Sequence, residues 1–270
     1  MKAALPHPFD LVAGTSEHYA DAALYDHEYR RRRADVNYYR RAARRFGAPV
    51  LELGCGSGRV LVPLVRDGHR VVGIDLSAAM LGRARARIAR LPASARGRAS
   101  LLRADMRRFA LAPPRAFAVV IAPFNALQHL YHPDALLRCL ICVREHLAPG
   151  GRFVFDVCNP LPAWLARDPE RRWARTRFRH PTDGRTYFYS TNHVYDAARQ
   201  IVYAHLYYRP LDGGPEQIVR LAHRMFFPRE LEVLLRLGGF RLLERQGGYD
   251  GEPLDEVARV QACVAALDGN

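Results

Sequence analysis

The sequence predicts an α/β domain built on a parallel sheet with helices on both faces, and three observations predict it. Apolar strand candidates alternate with helical segments through residues 50–157. The run Val50–Leu53 stops at three glycines spaced two apart, Gly54, Gly56 and Gly58, and helical apolar spacing follows over Arg59–Arg66. Glycine is what a chain uses where backbone passes close to a ligand or takes positive φ. This stretch is therefore a tight strand-to-helix turn whose free N–H groups face a ligand site. The next apolar run, Val71–Ile74, delivers Asp75, whose carboxylate can accept both hydroxyls of a ribose. Strand, glycine turn, helix, strand and acid together frame a nucleoside-binding domain.

The elements follow in order. Residues 15–46 read as two helices, His18–Asp26 and a second carrying Val36, Tyr39, Ala43 and Phe46 at spacings of three and four. Arg30–Arg33 between them reads as a solvated charge run. The central strand candidates are Val50–Leu53, Arg70–Ile74, Ser100–Arg103, Phe117–Ala122 and Arg152–Val157. After Asn159-Pro160 the texture changes. Thr186–Tyr195, Gln200–Tyr208 and Gln217–Phe227 are rich in Tyr, Phe, Val and Ile and are separated by Asp-Ala-Ala-Arg and Asp-Gly-Gly-Pro, which predicts an inserted antiparallel sheet of three strands. Pro228–Leu237 reads as a helix closed by Gly238-Gly239, and Phe240–Glu244 and Val257–Ala265 as two last strands.

Composition narrows the function classes. A chain of 270 residues can bury a sizeable core, and one elaborated domain is expected. The five cysteines, Cys55, Cys139, Cys142, Cys158 and Cys263, are scattered and odd in number, which argues against a disulfide framework. The Met1–Leu5 apolar patch ends at Pro6 and is too short for a signal peptide. Ala116–Pro133 is an uncharged run of 18 residues, but its two prolines, Asn, Gln and two histidines read as a buried strand plus a loop rather than a membrane span. The expected compartment is the cytoplasm, with no membrane contact. A net charge of +14 raises the question of a nucleic-acid partner. However, 40 of the 41 basic residues are arginine, only Lys2 being lysine, and they occur in nearly every segment. A compositional bias accounts for them as well as a phosphate-binding face does, so nucleic acid is not the expected partner.

The pattern Glu52-x-Gly54-x-Gly56-x-Gly58 departs from the dinucleotide spacing G-x-G-x-x-G. It resembles motif I of the class I S-adenosylmethionine (SAM) methyltransferases. Ile74-Asp75-Leu76-Ser77 with Met80-Leu81 is similar to that family's ribose-binding strand end and the helix after it. Ala104-Asp105-Met106 is similar to its adenine-binding turn, and Pro149-Gly150-Gly151 before Arg152–Val157 to its turn into strand five. The motifs run in the family's order between residues 50 and 157. The resemblance implies a seven-stranded sheet of order 3-2-1-4-5-7-6 whose strands six and seven form an antiparallel pair. It also implies SAM as methyl donor and S-adenosylhomocysteine as product. The implied organisation is an N-terminal helical cap (1–49), a SAM-binding core (50–159), an antiparallel β insertion on the acceptor side (160–227) and a C-terminal completion of the core sheet (228–270).

Methyl transfer from a sulfonium is an in-line displacement, so the protein's main work is to hold donor and acceptor close and collinear. The resemblance assigns Gly54, Gly56 and Gly58 to backbone approach toward the methionine part of SAM, with Glu52 and Cys55 in the same motif. It assigns Asp75 to the ribose, Leu76 and Met80 to the adenine pocket, and Asp105 and the Met106 N–H to the adenine edge. Tyr19 and Tyr25 resemble tyrosines that close over the SAM carboxylate in several small-molecule methyltransferases. Phe124 and Asn125 end strand four at the mouth where the methyl group should sit. His129 is the candidate base, because an imidazole can take a proton from a hydroxyl or ammonium acceptor near neutral pH; the alternative is a histidine that orders its loop. His132 is expected to cap the following helix.

No metal is expected. The acids that a metal-dependent O-methyltransferase would cluster near strand four are absent, and Cys139-x-x-Cys142 on a predicted helix reads as structural thiols. Ala122-Pro123-Phe124-Asn125 also lacks the polar first residue of the exocyclic-amine nucleic-acid methyltransferases. The expected function is SAM-dependent methylation at N or O of a small, specialised-metabolite-like acceptor, with room for a homodimer. An RNA-modifying methyltransferase and a non-catalytic SAM-binding protein are the open alternatives.

Overall fold

A computed structural model describes residues 9–269, and the Met1–Leu5 patch lies outside the described residues. Two units are distinguished. One holds the described residues up to Arg31 together with Pro160–Met225; the other holds Arg32–Asn159 and the described residues from Phe226 onward.

The first unit opens with α1 (Leu11–Ser16), a 3₁₀ turn (Glu17–Tyr19) and α2 (Ala22–Tyr29). The single helix expected over His18–Asp26 is thus broken. Asp21 ends the turn and starts a new helix, its carboxylate accepting the N–H groups of Ala23 and Leu24 at 3.0 and 2.8 Å, which is standard N-cap chemistry.

The second unit begins with α3 (Ala34–Phe46), whose stripe buries Val36, Tyr39 and Ala43. Then come β1 (Val50–Leu53), α4 (Leu61–Arg66), β2 (Val71–Asp75), α5 (Ala78–Ala89), α6 (Ala93–Arg96), β3 (Ala99–Arg103), β4 (Phe117–Ala122), α7 (Pro133–His146) and β5 (Leu147–Cys158). The Pro149-Gly150-Gly151 stretch lies inside β5 instead of preceding it. The register jumps from Phe117↔Leu147 to Val119↔Arg152, so these residues form a bulge, with Gly150 at φ +73°.

The first unit then resumes with α8 (Pro162–Leu165) and four strands rather than three: β6 (Trp173–Arg179), β7 (Thr186–Asp196), β8 (Ile201–Pro210) and β9 (Gln217–Arg224), antiparallel and in that order. The extra strand is an edge strand in which Arg175, Arg177 and Arg179 occupy alternate positions. Charge on an exposed edge blocks further pairing, and it also masks the apolar alternation by which strands are read. On this sheet Tyr187, Leu206 and Tyr208 form a buried cluster with Leu24 and Phe178 packed against it.

The second unit closes with α9 (Pro228–Leu237), β10 (Phe240–Gln246) and β11 (Val260–Leu267). Its sheet has the order β10-β11-β5-β4-β1-β2-β3. In chain-order terms this is 3-2-1-4-5-7-6, with β11 antiparallel to both β5 and β10. Strand side chains alternate between two cores. Leu51, Leu53, Val120, Phe153 and Phe155 pack on the side of Leu136, Leu140 and Leu231, while Val50, Val119, Ile121 and Val154 pack with Val36, Tyr39, Leu61 and Leu64. Glu52 and Asp156 have the parity of the second set, so two carboxyls enter that core. No helix among the described residues is long and apolar enough to cross a membrane.

Candidate active site

The glycine turn lies at the carboxyl end of β1, with Gly54, Gly56 and Gly58 at φ +65°, +53° and +77°. Side chains are disfavoured there by conformation, and the space is tight. A Cβ on Gly56 would stand 3.2 Å from Met80 Cε, and one on Gly54 would stand 3.1 Å from Ala126 Cβ and 3.7 Å from Met106 Cε. The segments after β3 and β4 therefore both reach the turn. Asp75 is tied to the same turn: one oxygen accepts Gly56 N–H at 2.7 Å and the other Ser77 N–H at 2.8 Å. Burial pushes its carboxyl up, and the backbone N–H groups of Ser77, Gly56 and Leu76 oppose that. Each carboxylate oxygen still has a lone pair for a further donor. Leu76 beside it is 51% exposed, whereas Met80 is buried beneath the turn. Cys55 is buried and contributes backbone, its N–H donating to Ile74 O at 3.0 Å.

Glu52 is 2% exposed, and its Oε2 has no hydrogen-bond partner. Burial drives its carboxyl well above the ordinary range; Arg59 works against this and the charge of Asp75 adds to it. An orphaned buried carboxyl oxygen is costly unless a donor arrives. Asp105, on the turn after β3, is gripped by its near neighbour Arg107, with Arg107 Nη2 at 2.6 Å and Nε at 3.0 Å. Burial opposes, but these bonds hold the Asp105 carboxyl below its usual range. The pair is solvent-accessible and contributes at most about 1 kcal/mol, so it can yield to another donor.

Phe124 and Asn125, just past β4, both adopt left-handed backbone, φ +55° and +64°. Such conformations cost about 1–3 kcal/mol each and persist only where surroundings impose them. Here the fully buried Asp156 supplies the constraint: Oδ1 accepts Phe124 N–H at 2.7 Å and Tyr39 Oη–H at 2.5 Å, and Oδ2 accepts Tyr249 Oη–H at 3.0 Å. The Phe124 ring is flanked by the guanidiniums of Arg32 and Arg59, each 4.7 Å from its centroid. Both arginines meet the buried Asp35, with Arg59 bidentate at 3.0 and 2.5 Å. Arg32 thus leaves the solvated charge run expected of Arg30–Arg33, because its head stacks on Phe124 and donates to Tyr249 Oη at 3.1 Å. Replacing Asp156 by Asn keeps the volume but sets an amide N–H₂ against at least one donor. We expect a loss of about 1–3 kcal/mol in denaturant unfolding; an unchanged midpoint would show that the three bonds do not constrain the segment.

Asn125 is 9% exposed and its Oδ1 has no partner. A 3₁₀ turn, Ala126–His129, follows. Leu127 and Gln128 anchor it, the latter through Oε1 accepting Cys158 N–H at 2.9 Å, and His129 is left partly exposed with Nδ1 3.4 Å from Tyr131 Oη. His132 caps α7 by accepting Asp134 N–H at 3.3 Å. Cys139 and Cys142 are buried in α7. No group of three or more His, Cys, Asp or Glu side chains among the described residues is placed to hold a metal.

The second unit thus carries Glu52, the glycine turn, Asp75, Asp105, Met106, Phe124, Asn125 and His129. Tyr19 and Tyr25 belong to the first unit, where their rings lie 5.6 Å apart beside His18. Sequence reading missed Arg32, Asp35, Tyr39, Arg59, Asp156 and Tyr249. A signal for one of them existed, since Asp156 is a lone acid inside the apolar run Phe153–Val157.

Residues 50–151 match the family model described as a methyltransferase domain. Ubiquinone biosynthesis O-methyltransferase of Sodalis glossinidius is 34% identical over 122 residues, 44% of this chain and 45% of that protein. The dTDP-3-amino-3,4,6-trideoxy-alpha-D-glucopyranose N,N-dimethyltransferase of Streptomyces venezuelae is 31% identical over 131 residues, 47% of this chain and 51% of that protein. The chain thus spans about half the length of the curated relatives it matches. Among solved structures, the CcbJ methyltransferase from Streptomyces caelestis superposes with a TM-score of 0.75 at 25% identity, over 97% of this chain and all of that one.

Proposed function

We propose that this chain, which belongs to the class I SAM-dependent methyltransferases, transfers a methyl group to nitrogen or oxygen of a small-molecule acceptor. The observation that carries the reading is the glycine turn, with Asp75 hydrogen-bonded to it and the orphaned Glu52 oxygen beside it. Three features of the site fit an adenosyl sulfonium. The bare backbone of the turn passes close to Met80 and Ala126, Asp75 has lone pairs left for the ribose hydroxyls, and Glu52 offers a buried acceptor to the ammonium of the methionine part. Asp105 would take the adenine amino group in place of Arg107, with Leu76 and the Met106 N–H along the base. When bound, SAM supplies an already activated methyl group. The chain's own work is then to bind, orient and exclude water, and, where the acceptor must lose a proton, to receive it at His129.

The curated relatives, an O-methyltransferase of ubiquinone biosynthesis and an N,N-dimethyltransferase of an amino sugar, support a small-molecule acceptor. Many of the arginines are taken up by Asp and Glu, as in Arg40–Asp67, Arg45–Glu244 and Arg172–Glu216, which leaves less of the positive charge for a phosphate backbone. Five free thiols fit a reducing compartment such as the cytoplasm. Calorimetric titration with S-adenosylhomocysteine tests the reading: saturable one-site binding is expected, and no detectable heat or thermal shift overturns it.

A further inference from the structure

Glu28, on α2, is a largely buried acid whose hydrogen-bond partner is a tyrosine. Asp35, Asp67, Asp105, Glu216 and Glu244 each pair with an arginine, whereas Glu28 pairs with none among the described residues. Its Oε1 accepts the Tyr208 Oη–H at 2.6 Å, and its Oε2 lies 4.0 Å from Nε2 of His18. That second contact is not an ion pair at neutral pH, because burial, aided by the nearby His223, lowers the His18 imidazole to about 4. Burial raises the Glu28 carboxyl to about 7; the hydrogen bond from Tyr208 opposes this and the charge of Asp21 reinforces it.

The groups that face Glu28 are therefore Asp21 at the cap of its own helix, His18 of the preceding turn, Tyr189 of β7 and Tyr208 of β8. All are neutral or negative near pH 7. Tyr189 and Tyr208 present rings 5.3 Å apart, and Tyr29 Oη lies 3.2 Å from His18 Nε2. The Glu28 side chain is still 20% exposed, so a solute can reach it. A carboxyl held among tyrosines with no cation beside it suits an incoming cation, which gains a charge-assisted hydrogen bond and contact with aromatic faces.

We propose that Glu28, beside Tyr189 and Tyr208, is the anchor of an acceptor subsite that takes a protonated amine. This rests on the methyltransferase reading and deepens it, naming an amine-bearing small molecule as the acceptor class and Glu28 as a specificity-determining residue. The subsite lies wholly within the unit of N-terminal helices and inserted sheet.

The probes are cyclohexylammonium and neutral cyclohexanol, titrated calorimetrically into the full chain in buffers of different ionisation enthalpy. Cyclohexylammonium is expected to bind and, at about pH 7, to release about half a proton as Glu28 ionises beside it. Release should rise toward about one proton near pH 6, where Glu28 starts mostly protonated, and vanish near pH 9. Cyclohexanol should bind at least roughly tenfold more weakly, the worth of a hydrogen bond to a charged group. Glu28→Gln keeps the volume and an oxygen for Tyr208, so it should weaken the ammonium probe roughly tenfold and abolish the proton release while leaving S-adenosylhomocysteine affinity unchanged. Equal affinity in Glu28→Gln, equal binding of the two probes, or no binding of cyclohexylammonium by the parent chain overturns the proposal. If Glu28→Gln fails to fold, the pH dependence of proton release in the parent chain decides. Loss of S-adenosylhomocysteine binding in the parent chain would instead strike the methyltransferase reading and leave the probe result for Glu28 readable.

Discussion

Asp75→Ala is expected to lower S-adenosylhomocysteine affinity by about 100-fold or more in calorimetry. Hydrogen bonds to a charged group contribute about 1.5–3 kcal/mol each, and the ribose offers two hydroxyls to this carboxylate. Loss of about 2.7 kcal/mol is already a hundredfold in the dissociation constant. The substitution also strips an acceptor from Gly56 N–H and Ser77 N–H. The backbone that must approach the ligand then loses the group that aims it. Asp75→Asn separates the two contributions. It keeps one oxygen for the turn or for the ribose but not the charge, so its loss should fall between the parent chain and alanine, at about tenfold. The apolar residues around it, Leu53 and Ile74 among them, are untouched, so circular dichroism should show the fold retained. Parent-like affinity in folded Asp75→Ala would remove the ribose assignment.

What was legible in the sequence was what only certain residue types can do locally. A turn with three left-handed positions and tight neighbours is built most readily from glycine, and it announces itself in the chain. The core strands were legible for a similar reason: runs such as Phe117–Ala122 are apolar on both faces because both faces are covered. Local charge patterns misled. Arginine at alternate positions of Trp173–Arg179 hid an edge strand, and the arginine run around Arg32 hid a side chain that stacks on Phe124. The largest omission was the set of bonds behind Phe124. Tyr39 and Tyr249 reach Asp156 across 117 and 93 residues of sequence. No local pattern encodes that meeting; it exists only once α3, β5 and the segment after β10 share one side of the sheet. The strain at Phe124 and Asn125 is likewise invisible in residue type, since neither position is a glycine.

That strained pair determines where the Ala126–His129 turn goes, and His129→Ala is expected to lower turnover about 100-fold, the low end of what a positioned proton acceptor contributes. The turn lies against the glycine turn through Ala126 and Gly54, and buried Leu127 and Gln128 hold it while His129 remains accessible. S-adenosylhomocysteine affinity should be unchanged in the variant, because no part of the proposed donor contacts involves the imidazole. The pH dependence carries the discrimination. A base must be unprotonated to act, so the parent rate should fall on acidification. His129→Ala should lose that acidic limb and leave a flatter, lower profile. A histidine that merely ordered the loop through Tyr131 would behave differently: its removal would raise KM or lower thermal stability and leave the shape of the pH profile in place. Parent-like kcat with a parent-like acidic limb would end the assignment of His129 as the base; an acceptor amine arriving unprotonated would then attack the methyl through its own lone pair as the sulfonium C–S bond breaks, and the resulting ammonium would lose its proton to solvent after the transfer.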